Sequence, residues 1–350
     1  MALGRNFNSD NVAPACEAII AALRAANAGS ATSYGGDDLT ARLQSVAGEV
    51  FETEVAVYPV TTGTAANSLA LSQLVPPYGA IYCYEAAHIV TDECGAPEFF
   101  SGGAKLIGFP AADGKIRPQQ LSQAIAFAED MGVHHVKPAA VSLTQASEWG
   151  TVYGLSELAA ITAVAKNHRL PVHMDGARFA NALVHLNCSP AEATWKRGVD
   201  VLSLGATKNG ALCAEAVVFF DPAMAGDFAR RRKRAGHLWS KMRFLSAQLL
   251  AYLNNGLWLD NARHANAMAT RMAQGLKSVA GAQLLHPVEA NELFVALPEA
   301  TVAHLEKLGF QFYRWPLSVL KSGVAIRLVT SYATSSPDVD DFIGAAQRLS

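Results

Sequence analysis

A mostly parallel β-sheet flanked by helices, joined to a smaller C-terminal α+β unit, is the fold class that this 350-residue chain predicts. Between about 50 and 220, short apolar runs alternate with amphipathic stretches, the rhythm of strands buried on both faces and returned by helices. After about 256 that rhythm gives way to a few strand-like runs among longer helical ones. Hydrophobic residues make up 51% and charged residues 17%, enough apolar material for the two domains expected at roughly 100–200 residues each. The division is placed near 255, giving a large domain over 1–255 and a small one over 256–350.

The strand-like runs of the first part are Val55 to Val60, Ala80 to Tyr84, Lys105 to Phe109, Ala139 to Leu143, Leu170 to Met174, Val199 to Leu204 and Ala214 to Phe220. Helical patterns lie between them at Ala65 to Leu74, Pro118 to Met131, Gly154 to His168 and Arg178 to Leu186. Arg230 to Leu253 follows as one long helix or two. The second part reads as a helix over Asn261 to Val279, a strand at Leu293 to Leu297, a helix from Ala300 to Leu308, strand-like Phe310 to Trp315 and Ala325 to Ser331, and a closing helix from Asp338 to Leu349.

Composition narrows the function. Lys plus Arg is 28 against 30 for Asp plus Glu, without the basic surplus of a nucleic-acid binder. No apolar run reaches the length of about 18 residues that a membrane span needs. Met1 to Asp10 is polar and does not read as a signal peptide. The five cysteines, Cys16, Cys83, Cys94, Cys188 and Cys213, are scattered, with no metal-ligand spacing. They read as reduced thiols of a cytoplasmic protein, and no metal-ligating residues are assigned.

Four segments carry chemistry, and each follows a strand. Leu204-Gly205-Ala206-Thr207-Lys208-Asn209-Gly210 sets a lysine in a turn of small residues at a strand end, where ligands of open α/β sheets bind. Desolvation there favours a free amine that attacks carbonyls. Asp175-Gly176-Ala177-Arg178 ends the run Leu170 to Met174. A carboxylate at that point can pair with a protonated ring nitrogen, as pyridoxal phosphate requires, or cap the next helix. Thr61-Thr62-Gly63-Thr64-Ala65-Ala66-Asn67 opens a helix with small and hydroxyl residues, a phosphate cradle. His88 follows Ala80 to Tyr84 and offers a flat ring to stack on an aromatic cofactor. No P-loop and no GxGxxG pattern occurs.

HMDGARFANA (His173 to Ala182), the Lys208 turn, TGTAANSLAL (Thr62 to Leu71) and DECGAPEFFSGGAK (Asp92 to Lys105) together resemble the threonine aldolase family. These are fold-type I pyridoxal-phosphate enzymes that split β-hydroxy-α-amino acids into glycine and an aldehyde. The resemblance runs from Asn8-Ser9-Asp10 to Arg327-Leu328-Val329-Thr330, and RRKRAGHLWSKMRFLSAQ (Arg231 to Gln248) looks most like the low-specificity L-threonine and phenylserine aldolases.

The resemblance implies a set of roles. Lys208 carries pyridoxal 5'-phosphate covalently, Asp175 bonds its ring nitrogen and His88 stacks on the ring. Gly63 and Thr64 hold the phosphate, and Thr207 and Arg178 count among the cofactor-binding residues. Gln145 stands near the phenolic oxygen. Ser9, Arg178 and Arg327 bind the substrate carboxylate, for which a guanidinium fork is apt. His134 faces the substrate side chain, and His88 and His134 are the candidate bases for the β-hydroxyl proton. A homotetramer with sites at a dimer interface makes Tyr34, Lys241 and Arg243 candidate partner-supplied groups. Trp239, Tyr34 and Trp149 are candidates to line an aromatic side-chain pocket.

The expected activity is aldol cleavage of a small amino acid, threonine, allo-threonine or phenylserine. A β-eliminating lyase on the same fold is the alternative, with ammonia and a keto acid as products. A catalytically silent interaction protein is a further one, opposed by the joint presence of Lys208, Asp175 and Arg327.

Overall fold

The computed structural model describes residues 5–316 and 323–348. The predicted class is the one observed: a seven-stranded sheet flanked by helices, with a small antiparallel sheet beside it. The large sheet comprises β1 (Ala56–Val60), β2 (Gly79–Tyr84), β3 (Lys105–Phe109), β4 (Lys137–Thr144), β5 (Val172–Gly176), β6 (Val201–Gly205) and β7 (Glu215–Phe219), in the order β1-β7-β6-β5-β4-β2-β3. Every residue of β2, β5, β6 and β7 is buried, as a sheet covered on both faces requires.

The chain from β6 to β7 departs from the parallel expectation. Parallel neighbours need a crossover of roughly a dozen residues or more. The connection 206–214 is shorter, so β7 returns antiparallel to β6, and β1 pairs antiparallel with β7 at the edge. The Lys208 turn is therefore the tip of a hairpin. β5 and β6 are parallel neighbours, with Asp175 opposite Ser203, so their carboxyl ends open side by side.

The small sheet comprises β8 (Gln283–Leu284), β9 (Glu292–Leu297), β10 (Tyr313–Arg314) and β11 (Val324–Val329), ordered β10-β11-β9-β8 and antiparallel throughout. Its core gathers Leu293, Val295, Ile326, Leu328 and Phe342. The helix Leu257–Leu276 serves both cores: Trp258 and Ala262 pack into the large one, Met268 and Met272 into the small one. The N-terminal segment belongs to the small core through Phe7, whose ring meets Phe342 edge-on at 5.4 Å. Its backbone bonds Gln311 and Val329, which carries Asn8, Ser9 and Asp10 toward the large sheet.

Two helices not anticipated from the sequence, Glu17–Ala26 and Asp38–Phe51, precede β1. The long stretch from Arg230 divides into Phe228–Arg234 and Arg243–Leu253. The break falls at Gly236, whose φ of +81° ends the first helix. Among the described residues no helix is long and apolar enough to cross a membrane.

Candidate active site

The carboxyl ends of β4, β5 and β6 bring together residues from the first to the last part of the chain. Lys208 sits in the short 3-10 turn Thr207–Asn209, and the turn is pinned on both sides of it. Ala206 N donates to Glu215 Oε2 at 3.0 Å, Ala214 N donates to Thr207 Oγ1 at 3.2 Å, and Asn209 Nδ2 donates to the Tyr252 hydroxyl at 2.9 Å and to the Trp258 carbonyl at 2.8 Å. Gly205 is required for this approach, because a Cβ there would lie 2.6 Å from the Ala177 carbonyl oxygen. The Lys208 ammonium itself makes no hydrogen bond or ion pair with a described residue, while its charge acts on Asp10, His88 and Glu215. Thr207, expected at the cofactor, spends its hydroxyl on the hairpin. Burial pushes Glu215 up to about 7, against its bonds to the turn and the pull of Lys208.

Asp175 is buried. Its Oδ1 accepts from Ala177 N at 2.9 Å and its Oδ2 from Asn67 Nδ2 at 2.7 Å. The carboxylate thus starts the following turn and still keeps lone pairs for a further donor. The same Asn67 nitrogen donates to Glu93 Oε1 at 2.8 Å, and that oxygen lies 2.9 Å from His88 Nδ1. His88 is also held through its backbone, whose N–H donates to Glu148 Oε1 at 3.1 Å. Thr144 Oγ1 donates to the same oxygen at 2.7 Å, and Glu148 Oε2 is buried with no partner among the described residues. Burial raises Glu148 to about 7. Glu93 is raised by burial, and His88 is raised chiefly by its bond to Glu93, against its own burial.

At the end of β1, Thr62 caps the helix Gly63–Leu74 by accepting from Ala65 N at 3.1 Å. The N–H groups of Gly63 and Thr64 have no acceptor among the described residues, and a Cβ on Gly63 would meet nothing within 4 Å. This end of the helix presents donors and a positive dipole to open space. His237 Nδ1 lies 3.0 Å from Thr61 Oγ1, and buried Arg232 donates to the Pro59 carbonyl with its Nε unpartnered. Burial, assisted by Arg232, lowers His237.

The residues assigned to the substrate carboxylate do meet. Arg178 grips Asp10 with two hydrogen bonds, Nε to Oδ2 at 2.9 Å and Nη2 to Oδ1 at 3.1 Å. Glu292 lies between the arginines, 3.3 Å from Arg178 Nη1 and 3.5 Å from Arg327 Nη1. Arg327 also donates to the Asn8 carbonyl, and its guanidinium stands 5.1 Å from the Tyr313 ring and 5.2 Å from Trp315. Its Nε is buried with no hydrogen-bond partner among the described residues, and Glu292 Oε2, the oxygen facing Arg178 Nη1, accepts no hydrogen bond from a described residue beyond that ion pair. Burial alone would raise Asp10, but Arg178 and Lys208 hold it below the usual carboxylate range. Ser9 caps the turn at Asp10 by accepting from Asn11 N.

Two expected site residues stand elsewhere. His134 is exposed in the short 3-10 turn before β4. The site is at the far end of that strand, about 25 Å away at roughly 3.3 Å per residue. Gln145 is fully buried and turned to Tyr153, whose carbonyl and N–H it bonds at 2.9 Å each. Both ends of its amide are engaged in fixing the chain after β4. Tyr34 is 51% exposed, stacked under Lys233 with the ammonium 4.6 Å from its ring. Trp239 and Lys241 are exposed beside it, whereas Arg243 donates to the Gly29 carbonyl. Trp149 packs against His286, Phe294 and Trp315 and donates to the Tyr84 hydroxyl at 2.9 Å.

Sequence reasoning missed Asn67, Glu93, Glu148, Glu215, His237 and Glu292. Glu93 and Asn67 lay inside quoted motifs. Glu292, a charge opening an apolar strand, carried the same signal that drew attention to Arg327.

Comparison with known proteins gives the chain a family and a fold. The family model described as beta-eliminating lyase covers residues 6–300. The low specificity L-threonine aldolase of a Pseudomonas species is 45% identical over 309 residues, 88% of this chain and 89% of that one. That of Pseudomonas aeruginosa is 46% identical over the same shares. The chain belongs to the threonine aldolase family. The fold agrees throughout: a solved threonine aldolase of Leishmania major superimposes with a TM-score of 0.92 at 30% identity, covering 98% of this chain and 99% of that one.

Proposed function

We propose that the chain is a pyridoxal-phosphate lyase that cleaves L-β-hydroxy-α-amino acids to glycine and an aldehyde. The observation that carries this reading is the Lys208 ammonium just after β6, without a partner among the described residues, with Asp175 at the end of the neighbouring strand β5. The cofactor fits the donors on hand. Lys208 would hold it covalently, Asp175 would accept from the ring nitrogen, and the free N–H groups of Gly63 and Thr64 would take the phosphate, with His88 over the ring. The bound cofactor supplies an electron sink for the carbon that loses its bond to the aldehyde.

The chain's own residues supply the rest. Arg327 Nε, buried without an acceptor among the described residues, is a donor suited to a carboxylate, and Ser9 stands one residue from Asp10 in the same group. Holding the carboxylate there orients the scissile bond, an effect worth up to roughly 7–11 kcal/mol in well-aligned systems. His88 is positioned to take the β-hydroxyl proton, a step worth about 10²–10⁴-fold. Trp149, Trp315 and Tyr313, clustered beside Arg327, suit an apolar or aromatic side chain.

A cytoplasmic homotetramer completes the proposal. Exposed Tyr34, Trp239 and Lys241 support an interface on that side of the molecule. The test is glycine release from L-threonine, L-allo-threonine and L-phenylserine in parallel, with Lys208→Ala as control. Glycine with equimolar aldehyde is expected. Ammonia with a keto acid would make it a β-eliminating lyase, and a protein that gains no visible absorbance with pyridoxal phosphate would refute both.

A further inference from the structure

We propose that Glu93 is the positioning residue of His88, fixing the imidazole with its proton on Nδ1 and leaving Nε2 free, and that Asn67 ties this pair to Asp175. The inference deepens the aldolase reading and rests on it only for the identity of the proton that Nε2 takes.

The bonding pattern leaves one consistent assignment. The Asn67 atom between Glu93 Oε1 and Asp175 Oδ2 lies 2.8 and 2.7 Å from two carboxylate oxygens, so it is the NH2 group and both oxygens accept. Glu93 Oε1 then faces His88 Nδ1 at 2.9 Å as an acceptor, and Nδ1 must donate. Which imidazole nitrogen is left basic is decided by the bond the other one makes. His88 Nε2 has no partner among the described residues, and the side chain is 41% exposed whereas that of Glu93 is 0% exposed. The carboxylate is therefore behind the ring and the free nitrogen toward the opening.

The charged groups around the ring are Glu93 and Asp175, which favour the imidazolium, Lys208, which opposes it, and Glu148, bonded to the His88 backbone N–H. The arrangement suits a ring that gains a proton during turnover. When Nε2 takes the β-hydroxyl proton, the O–H pair becomes the second bond of the aldehyde carbonyl. The Cα–Cβ bond breaks with its pair left on the glycine half, and the new imidazolium stands against an unneutralised carboxylate. A carboxylate behind an imidazole holds its tautomer and supports its charge in this way in hydrolase triads. Asn67 keeps Glu93 from turning away and hands the same carboxylate geometry to Asp175. One substitution at position 67 would thus loosen both Asp175 and, through Glu93, His88.

The direct measurement is on the unmutated holoenzyme. With ¹⁵N-labelled histidine, the neutral form of His88 is expected to carry its proton on Nδ1. A proton on Nε2 overturns the proposal without any variant. In Glu93→Gln the His88 pKa is expected to fall and kcat to drop by about 10–100-fold with KM little changed. The acidic limb of the kcat profile should move to lower pH, and Glu93→Asp should recover part of the loss. In a His88→Asn background Glu93→Gln should cost nothing further, since it acts through that ring. A full additional loss there, or an unmoved His88 pKa in Glu93→Gln, overturns the proposal. The tautomer and pKa are read without turnover. A protein with the expected tautomer that releases glycine from none of the substrates refutes the aldolase reading and leaves the Glu93 assignment standing.

Discussion

Glu215→Gln should make the protein more stable at alkaline pH and leave it nearly unchanged at acidic pH. Glu215 is buried on β7 beneath the Lys208 turn, accepting from Ala206 N, and burial lifts its carboxyl from 4.5 to about 7. In the unfolded chain the group ionises near its ordinary value, so between about pH 4.5 and 7 the folded state holds a proton that the unfolded state has released. Stability therefore falls as pH rises through that window, by about 1.4 kcal/mol per unit, and roughly 3 kcal/mol is gone above pH 7. Glutamine keeps the acceptor for Ala206 N and has no proton to lose. Urea unfolding of both proteins at about pH 5 and about pH 8.5 should show the stability difference, variant minus wild type, growing by roughly 3 kcal/mol. A difference that stays constant across that range would refute the placement of a buried, protonatable carboxyl under the lysine turn.

His134→Ala should leave kcat and KM within about twofold of wild type, because the residue is an exposed side chain away from the site; steady-state kinetics decide it. Gln145→Ala strips two buried bonds from the Tyr153 backbone and should destabilise by about 2–4 kcal/mol without abolishing the cofactor's visible band. Gly205→Ala puts a methyl 2.6 Å from the Ala177 carbonyl oxygen and 2.7 Å from its Cα. Backbone must move there, so both the visible band and thermal stability should fall, the latter by about 1–3 kcal/mol. Glu292→Gln removes a carboxylate from between Arg178 and Arg327, and KM for the amino acid should fall as the site gains positive charge; a raised KM would show that Glu292 instead holds the arginines in place.

The large sheet was legible because its strands are buried on both faces and read as continuous apolar runs between helices. The candidate site groups were legible because Lys208, Asp175, His88 and Gly63 each follow such a run. Partnerships were not, since they depend on which side chains face each other across chain separations that no local pattern encodes. His134 shows the limit: a histidine before a strand sits at the sheet's wrong end, and only the strand's direction says so. Gln145 shows another, because an amide near the end of β4 can turn outward to a ligand or inward to Tyr153, and burial chose the second. Glu215 went unmarked because the short return from β6 makes it the neighbour of Lys208, and a parallel crossover would have taken it away.

Two chains of polar groups flank Lys208, and they differ in what holds them. Asp175, Asn67, Glu93 and His88 all stand on or just after elements of the large sheet, linked by bonds of 2.7 to 2.9 Å. Arg178, Asp10, Glu292 and Arg327 cross from the large sheet to the N-terminal segment and the small sheet, through ion pairs as long as 3.3 and 3.5 Å, with Asn291 Nδ2 donating to Asp10 Oδ2 at 3.0 Å. A displacement of the small sheet against the large one changes the second chain and leaves the first intact. Groups that move protons need sub-ångström constancy, whereas groups that admit and grip a carboxylate gain from being able to open. The first chain lies on the large sheet alone and the second spans the junction of the two sheets, a division that suits these two demands.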